Sequence, residues 1–168
     1  MSLRLMRLGL LLLGLAACAA PAPLPTASAP AKAAALPANL RPNVEQHWLT
    51  PAGGIHWPDA DGFVAAPVLI VLPAGVLIDR FGDDKGRFFS LKGAFYRGRA
   101  LPYVCEKMAY TAYRVALPLL AWSGKAVGWF DEPGGATQLQ TDAPAKRLVD
   151  DHVIEPLPPE PDASPCKP

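Results

Sequence analysis

A chain of 168 residues suggests one domain. Its net charge of +1 offers no bulk attraction to nucleic acid, and no nucleic-acid motif is present. The 20 prolines gather at the two ends, so a packed core must come from the middle. Charge is unevenly spread there. From Arg80 to Lys107 there are seven Lys/Arg and three Asp/Glu, a local +4; from Asp131 to Glu155 there are two and six, a local −4. Either solvated faces differ in sign or the basic stretch meets an anionic ligand.

The chain opens with a targeting pattern. Arg4 and Arg7 precede the apolar run Leu8–Leu15. A membrane-spanning helix needs about 20 apolar residues, so this shorter run reads as a signal peptide over residues 1–17. Leu15-Ala16-Ala17-Cys18 resembles a bacterial lipobox, in which Cys18 is lipidated. Ala19 after it favours the outer membrane over inner-membrane retention. The expected location is therefore export, with a lipid anchor in the envelope or release. Residues 18–42, rich in Ala and Pro, read as a tether. Residues 43–157 form the expected domain, long enough to bury a core, and 158–168 a Pro-rich tail.

Within the domain, Asn43 is a cap for a short helix through Trp48. Val68–Leu72 is a continuous aliphatic run, read as a buried strand or a helix end. Short strands are expected at Val76–Ile78, Phe88-Phe89, Tyr113–Leu119 (at an edge, because of Pro118), Ala126–Phe130, Gly135–Leu139 and Val153-Ile154. Ala145–Asp151 is the best late helix. Many short strands with few short helices give an α+β fold: a β-rich compact domain of mostly antiparallel strands.

Once Cys18 is set aside, Cys105 and Cys166 remain. In an oxidising compartment they make one disulfide, closing a loop of roughly 60 residues, or they stay as two unrelated thiols. No Cys-x-x-Cys or His-rich cluster is present, so no metal is expected. His47, His56 and His152 read as surface or structural residues.

Four other side chains invite a functional reading, each beside a plainer one. Arg80 precedes a Phe-Gly turn; it can grip phosphate bidentately, or ion-pair with Asp79 or Asp83. Phe88 can stack on a ligand ring or fill core. Arg99 is a second anion ligand or a solvated side chain. Gln138 follows Gly134-Gly135-Ala136-Thr137, where glycines let backbone approach a ligand; its amide can orient a water, or simply alternate outward on a strand.

Several segments stand in a telling order: Trp57-Pro58 with Asp61-Gly62-Phe63, Leu72-Pro73-Ala74-Gly75, Ile78-Asp79-Arg80-Phe81-Gly82 with Gly86-Arg87-Phe88, Arg99-Ala100-Leu101-Pro102, Tyr110 with Tyr113-Arg114-Val115, Trp129-Phe130, Pro133–Gln138, and Leu148–Asp151 with Ile154. Together they resemble the tuberculosis necrotizing toxin family over about Trp57 to Glu155. The resemblance implies an NAD(P)+ glycohydrolase that acts as an exported toxin or effector and releases nicotinamide and ADP-ribose. It implies no cofactor, NAD+ or NADP+ being the substrate, and an immunity protein as a partner. It places phosphate contact and catalysis on Arg80, ring stacking on Phe88, ligand binding on Arg99 and a catalytic orienting role on Gln138. Two positions depart from the family pattern: Phe88 stands where Tyr is frequent, and Thr111 where some bacterial members carry a functional His. Two other classes remain open, a nucleotide-binding module without catalysis and a structural envelope lipoprotein.

Overall fold

The computed structural model describes residues 36–160 and 165–166. The signal, Cys18 and most of the tether lie outside the described residues. Seven strands form one antiparallel sheet: β1 Val68–Leu72, β2 Leu77–Phe81, β3 Phe88–Leu91, β4 Tyr110–Val115, β5 Leu119–Lys125, β6 Thr137–Gln140 and β7 Ile154–Pro156, in the order β1-β5-β6-β3-β2-β4-β7. The expected β-rich character is therefore present. The helical part described is small: one α-helix, α1 Ala145–Asp150, and short 3-10 turns.

Alternation along the strands explains the main core. Ile78, Phe89, Tyr113, Val115, Leu119, Ala121, Leu139 and Ile154 point to one face, where Ala145 and Leu148 of α1 cover them. With only six residues, α1 is too short to hold itself. It begins without a side-chain cap, and the carbonyls of Asp84 and Gly86 accept from the amides of Lys146 and Ala145. The helix is thus tied to the β2–β3 turn.

Several boundaries differ from the sequence expectation. Val68–Leu72 is not a buried strand but an edge. Ile70 and Leu72 face the core opposite Ala121 and Leu119, while Leu69 and Val71 are exposed. The run around Tyr113 is not an edge either: β4 pairs with β2 on one side and β7 on the other. Pro118 sits in the β4–β5 turn, where its missing N–H costs no ladder bond. Ala126–Phe130 is a turn segment rather than a strand, with Phe130 and Asp131 in left-handed conformation. Asn43 caps nothing; a 3-10 turn begins later, at Gln46.

The opposite face carries a second apolar cluster of Phe81, Tyr96 and Cys105, with Leu101, Met108, Tyr110 and Cys166 around it. Cys105 and Cys166 are joined as a disulfide with 61 residues of separation. In a chain-entropy model such a loop stabilises by about 4 kcal/mol. Residues before position 43 also pack here. Leu40 bridges to Tyr103, and Arg41 pairs with Glu132 at 2.6 Å.

Candidate active site

A cavity of about 850 Å³, within the size range of small-molecule sites, opens beside the second cluster and reaches the end of β2. Its wall includes Arg80, Phe88, Arg99 and Gln138. The four residues singled out in the sequence are thus brought together from β2, β3, the 3-10 turn Tyr96–Arg99 and β6.

Arg80 lies near the end of β2 and is 6% exposed. Its guanidinium donates to the Gly86 carbonyl and sits 5.6 Å from the Phe89 ring centroid. A Cβ on Gly86 would fall on that guanidinium, so the glycine is what admits the arginine. Burial lowers its pKa, opposed by Tyr113, Asp83 and Asp84. Among the described residues no carboxylate lies within ion-pair distance of it, and its buried Nε has no partner. The expected alternative pairing with Asp79 is taken by another residue. Arg80 is a charge held ready for an anion.

That other residue is Arg99, which is not solvated: its side chain is 7% exposed and reaches Asp79 at 2.6 Å. It also donates to the Ala94 carbonyl and lies over the Phe81 ring. Asp79, itself 1% exposed, accepts further from the Tyr110 hydroxyl (2.9 Å) and the Gly93 amide. Burial and then Asp79 push the Tyr110 hydroxyl above the phenolic range, so it stays a donor. Arg99 therefore enters the cavity wall with its charge already balanced, which makes Arg80 the stronger anion ligand.

Phe88 is 40% exposed and belongs to the cavity rather than the core. The sequence reading gave no role to another aromatic of the wall, Trp57, 47% exposed and packed edge-on against Phe130 at 5.4 Å. Two open aromatic faces suit a planar, cationic or heteroaromatic ligand. Burial raises the pKa of Tyr103, also a wall residue. Lys107 and Met108 belong to the wall as well. Trp57 and Asp61 stood in the family-like segments and Lys107 closes the basic stretch, but nothing in the sequence joined Tyr103 or Met108 to the site.

Gln138 does not simply alternate outward. Its Nε2 donates to the Asp61 carbonyl at 2.8 Å. The glycines before it serve a different purpose from close ligand approach: Gly134 packs against the backbone of Ala126 to Gly128, and neither it nor Gly135 reaches the cavity wall. Thr111 faces Arg80 across the β2–β4 ladder but is no part of the wall. The three histidines also stay out of it. Among the described residues no group of three His, Cys, Asp or Glu side chains is arranged to hold a metal.

A β-rich sheet beside a cavity lined by arginine and aromatic side chains is a candidate small-molecule site, and comparison with known proteins gives the family. The family described as tuberculosis necrotizing toxin matches residues 71–157, and the chain belongs to that family. It is 32% identical over 126 residues to the conidial surface nicotinamide adenine dinucleotide glycohydrolase nadA of Aspergillus fumigatus, covering 66% of this chain and 54% of that protein. The chain thus spans about half the length of that relative. The fold is also similar to that of tuberculosis necrotizing toxin, whose structure was determined with its immunity factor. That match has 19% identity, covers 64% of this chain and 65% of the other, and has a TM-score of 0.53.

Proposed function

We propose that this chain hydrolyses the N-glycosidic bond of NAD+ or NADP+ as an exported toxin or effector. The observation that carries the reading is the convergence of Arg80, Phe88 and Gln138 on one cavity. Family membership and the similarity to a named NAD glycohydrolase support it.

In this reading the diphosphate lies against Arg80, with Arg99 lining the same side, and Phe88 and Trp57 flank the rings. Water adds to the anomeric carbon as the C–N bond breaks. The bonding pair returns to the pyridinium nitrogen, so nicotinamide leaves neutral. The water gives up one proton to bulk solvent, so NAD+ and water become nicotinamide, ADP-ribose and H+, the amide of Gln138 accepting a hydrogen bond and not the proton. A cationic leaving group needs no strong general acid, so Thr111 in place of a His is no obstacle. What the site must supply is placement and an acceptor for the reacting O–H. Gln138 supplies it.

The test is nicotinamide release from NAD+ by the purified protein, with Gln138→Ala beside it. The wild type should turn over. The variant should lose roughly 100-fold in kcat with little change in KM, because orienting a reacting group acts in the transition state. Full turnover by Gln138→Ala removes the assignment. No release by a wild type that NAD+ stabilises against heat points instead to a binding module.

For delivery, we propose residues 1–17 as signal, Cys18 as the lipidated anchor and the Ala/Pro-rich stretch after it as a tether that ends before Pro37, since Pro37 and Asn39 line the cavity and Leu40 and Arg41 pack on the domain, with an immunity protein guarding the producer. The lipobox-like segment and the family's toxin members support this. In a bacterial host, a palmitate analogue should label the wild type and not Cys18→Ala. An unlabelled wild type rejects the anchor.

A further inference from the structure

The Gln138 amide is held by a segment far away in the chain. Its Nε2 donates to the Asp61 carbonyl, which fixes which end of the amide is which and leaves the Oε1 oxygen, with the second Nε2 hydrogen, for the cavity. Oε1 is the acceptor that Gln138 offers there. The orientation depends on where the Asp61 carbonyl lies. Ala60, Asp61 and Gly62 are three successive residues at positive φ (51°, 55° and 77°). Such a run is costly for the two non-glycine residues and persists only where the surroundings hold it.

Three contacts hold it. The Gly62 carbonyl accepts from the Val127 amide at 2.8 Å. Phe63 bridges to Ala126, its ring filling the space that a Cβ on Gly124 would take. The third contact is polar and part-buried: Gln140, 8% exposed, donates its Nε2 to the carboxylate of the more exposed Asp61 at 3.0 Å. Gln138 and Gln140 are two apart on β6 and share a face. One strand thus grips Asp61 twice, by its carbonyl and by its carboxylate. Gln140 is no part of the cavity wall, while Asp61 and Gln138 are.

We propose that Gln140 is a positioning residue: through Asp61 it sets the Gln138 amide with its oxygen aimed at the reacting ribose. There the oxygen accepts from an O–H of the ribose or of the attacking water. The inference rests on the hydrolase reading. Losing the Gln140 bond lets the Asp61 turn relax and the Gln138 amide rotate. Gln140 is no part of the cavity wall, although it stands opposite Phe88 across the β3–β6 ladder, so kcat should fall further than KM changes.

The experiment compares steady-state NAD+ turnover in wild type, Gln140→Leu, Gln140→Glu and the double variant Asp61→Asn/Gln140→Glu. Gln140→Leu removes the donor and should lower kcat about tenfold with KM within about twofold, tenfold being roughly 1.4 kcal/mol. Gln140→Glu sets two carboxylates together and should lower kcat at least as far. In the double variant the bond returns with its direction reversed. The asparagine amide introduced at position 61 donates to the new carboxylate, and kcat should recover to within about threefold of wild type. Recovery also rules out a direct role for the Asp61 charge on the ribose. If Gln140→Glu fails to fold, Gln140→Leu carries the measurement. A folded Gln140→Leu with wild-type kcat overturns the inference, as does a KM that rises in step with the fall in kcat. So does a folded double variant that stays as slow as Gln140→Glu. A wild type that releases no nicotinamide overturns the hydrolase reading itself, a result distinct from all of these.

Discussion

Arg80→Ala is expected to lower kcat/KM for NAD+ roughly 10- to 150-fold, about 1.5–3 kcal/mol for lost charge-assisted hydrogen bonds. The reason lies in its surroundings. Arg80 is buried, donates to one carbonyl and has no carboxylate at ion-pair distance among the described residues. A buried cation with no carboxylate in direct contact is costly; Asp83 and Asp84 offset that only from a distance, and an anionic ligand reduces it further on binding. Arg80→Lys should recover little, because an ammonium lacks the planar fork that bonds the Gly86 carbonyl and a phosphate together. Arg99 makes the contrast. Arg99→Ala strands the buried Asp79 carboxylate, and breaking such a pair from one side costs about 3–5 kcal/mol of stability. Its loss should therefore show first in thermal melting, and that of Arg80 first in kinetics. Initial rates of nicotinamide release below KM, beside melting curves, separate the two. Wild-type kcat/KM in a folded Arg80→Ala rejects the anion-binding role.

The second large effect concerns Gly134. Gly134→Ala should destabilise by about 3 kcal/mol or more, a large part of the roughly 5–15 kcal/mol that holds an ordinary domain together. Gly134 has φ +68°, and an added Cβ would lie 2.5 Å from the Gly128 nitrogen and 2.6 Å from the Ala126 oxygen. Both are backbone atoms of the turn between β5 and β6, where Gly135 donates to the Ala126 carbonyl and Ala126 to the Ala136 carbonyl. Neither strand end can yield without breaking these bonds. The neighbouring Gly135 has φ +88° but nothing within 4 Å of its Cβ position. Gly135→Ala meets only the left-handed penalty, about 1–2 kcal/mol. Urea unfolding of the pair separates conformational cost from lack of space. Equal midpoints for the two variants would contradict this account.

The sequence by itself determined much of the domain. Short apolar stretches between turn signals mark part of β2, β3, β6 and β7, although β2 runs on through Phe81 where the expected strand stopped at Ile78. The family-like segments from Trp57 to Ile154 carried the family. They also named four side chains that the fold gathers around one cavity. Only the tertiary structure decided their condition. Which arginine takes Asp79 depends on the 3-10 turn Tyr96–Arg99 bringing Arg99 to β2, and no local signal encodes that approach. Gly134 read as a ligand-approach glycine because sequence does not tell one close backbone from another. The grip of Gln138 and Gln140 on Asp61 joins residues 77 and 79 positions apart. Strand pairing brings such groups together through the whole sheet, so their contact belongs to the fold and not to any stretch of chain.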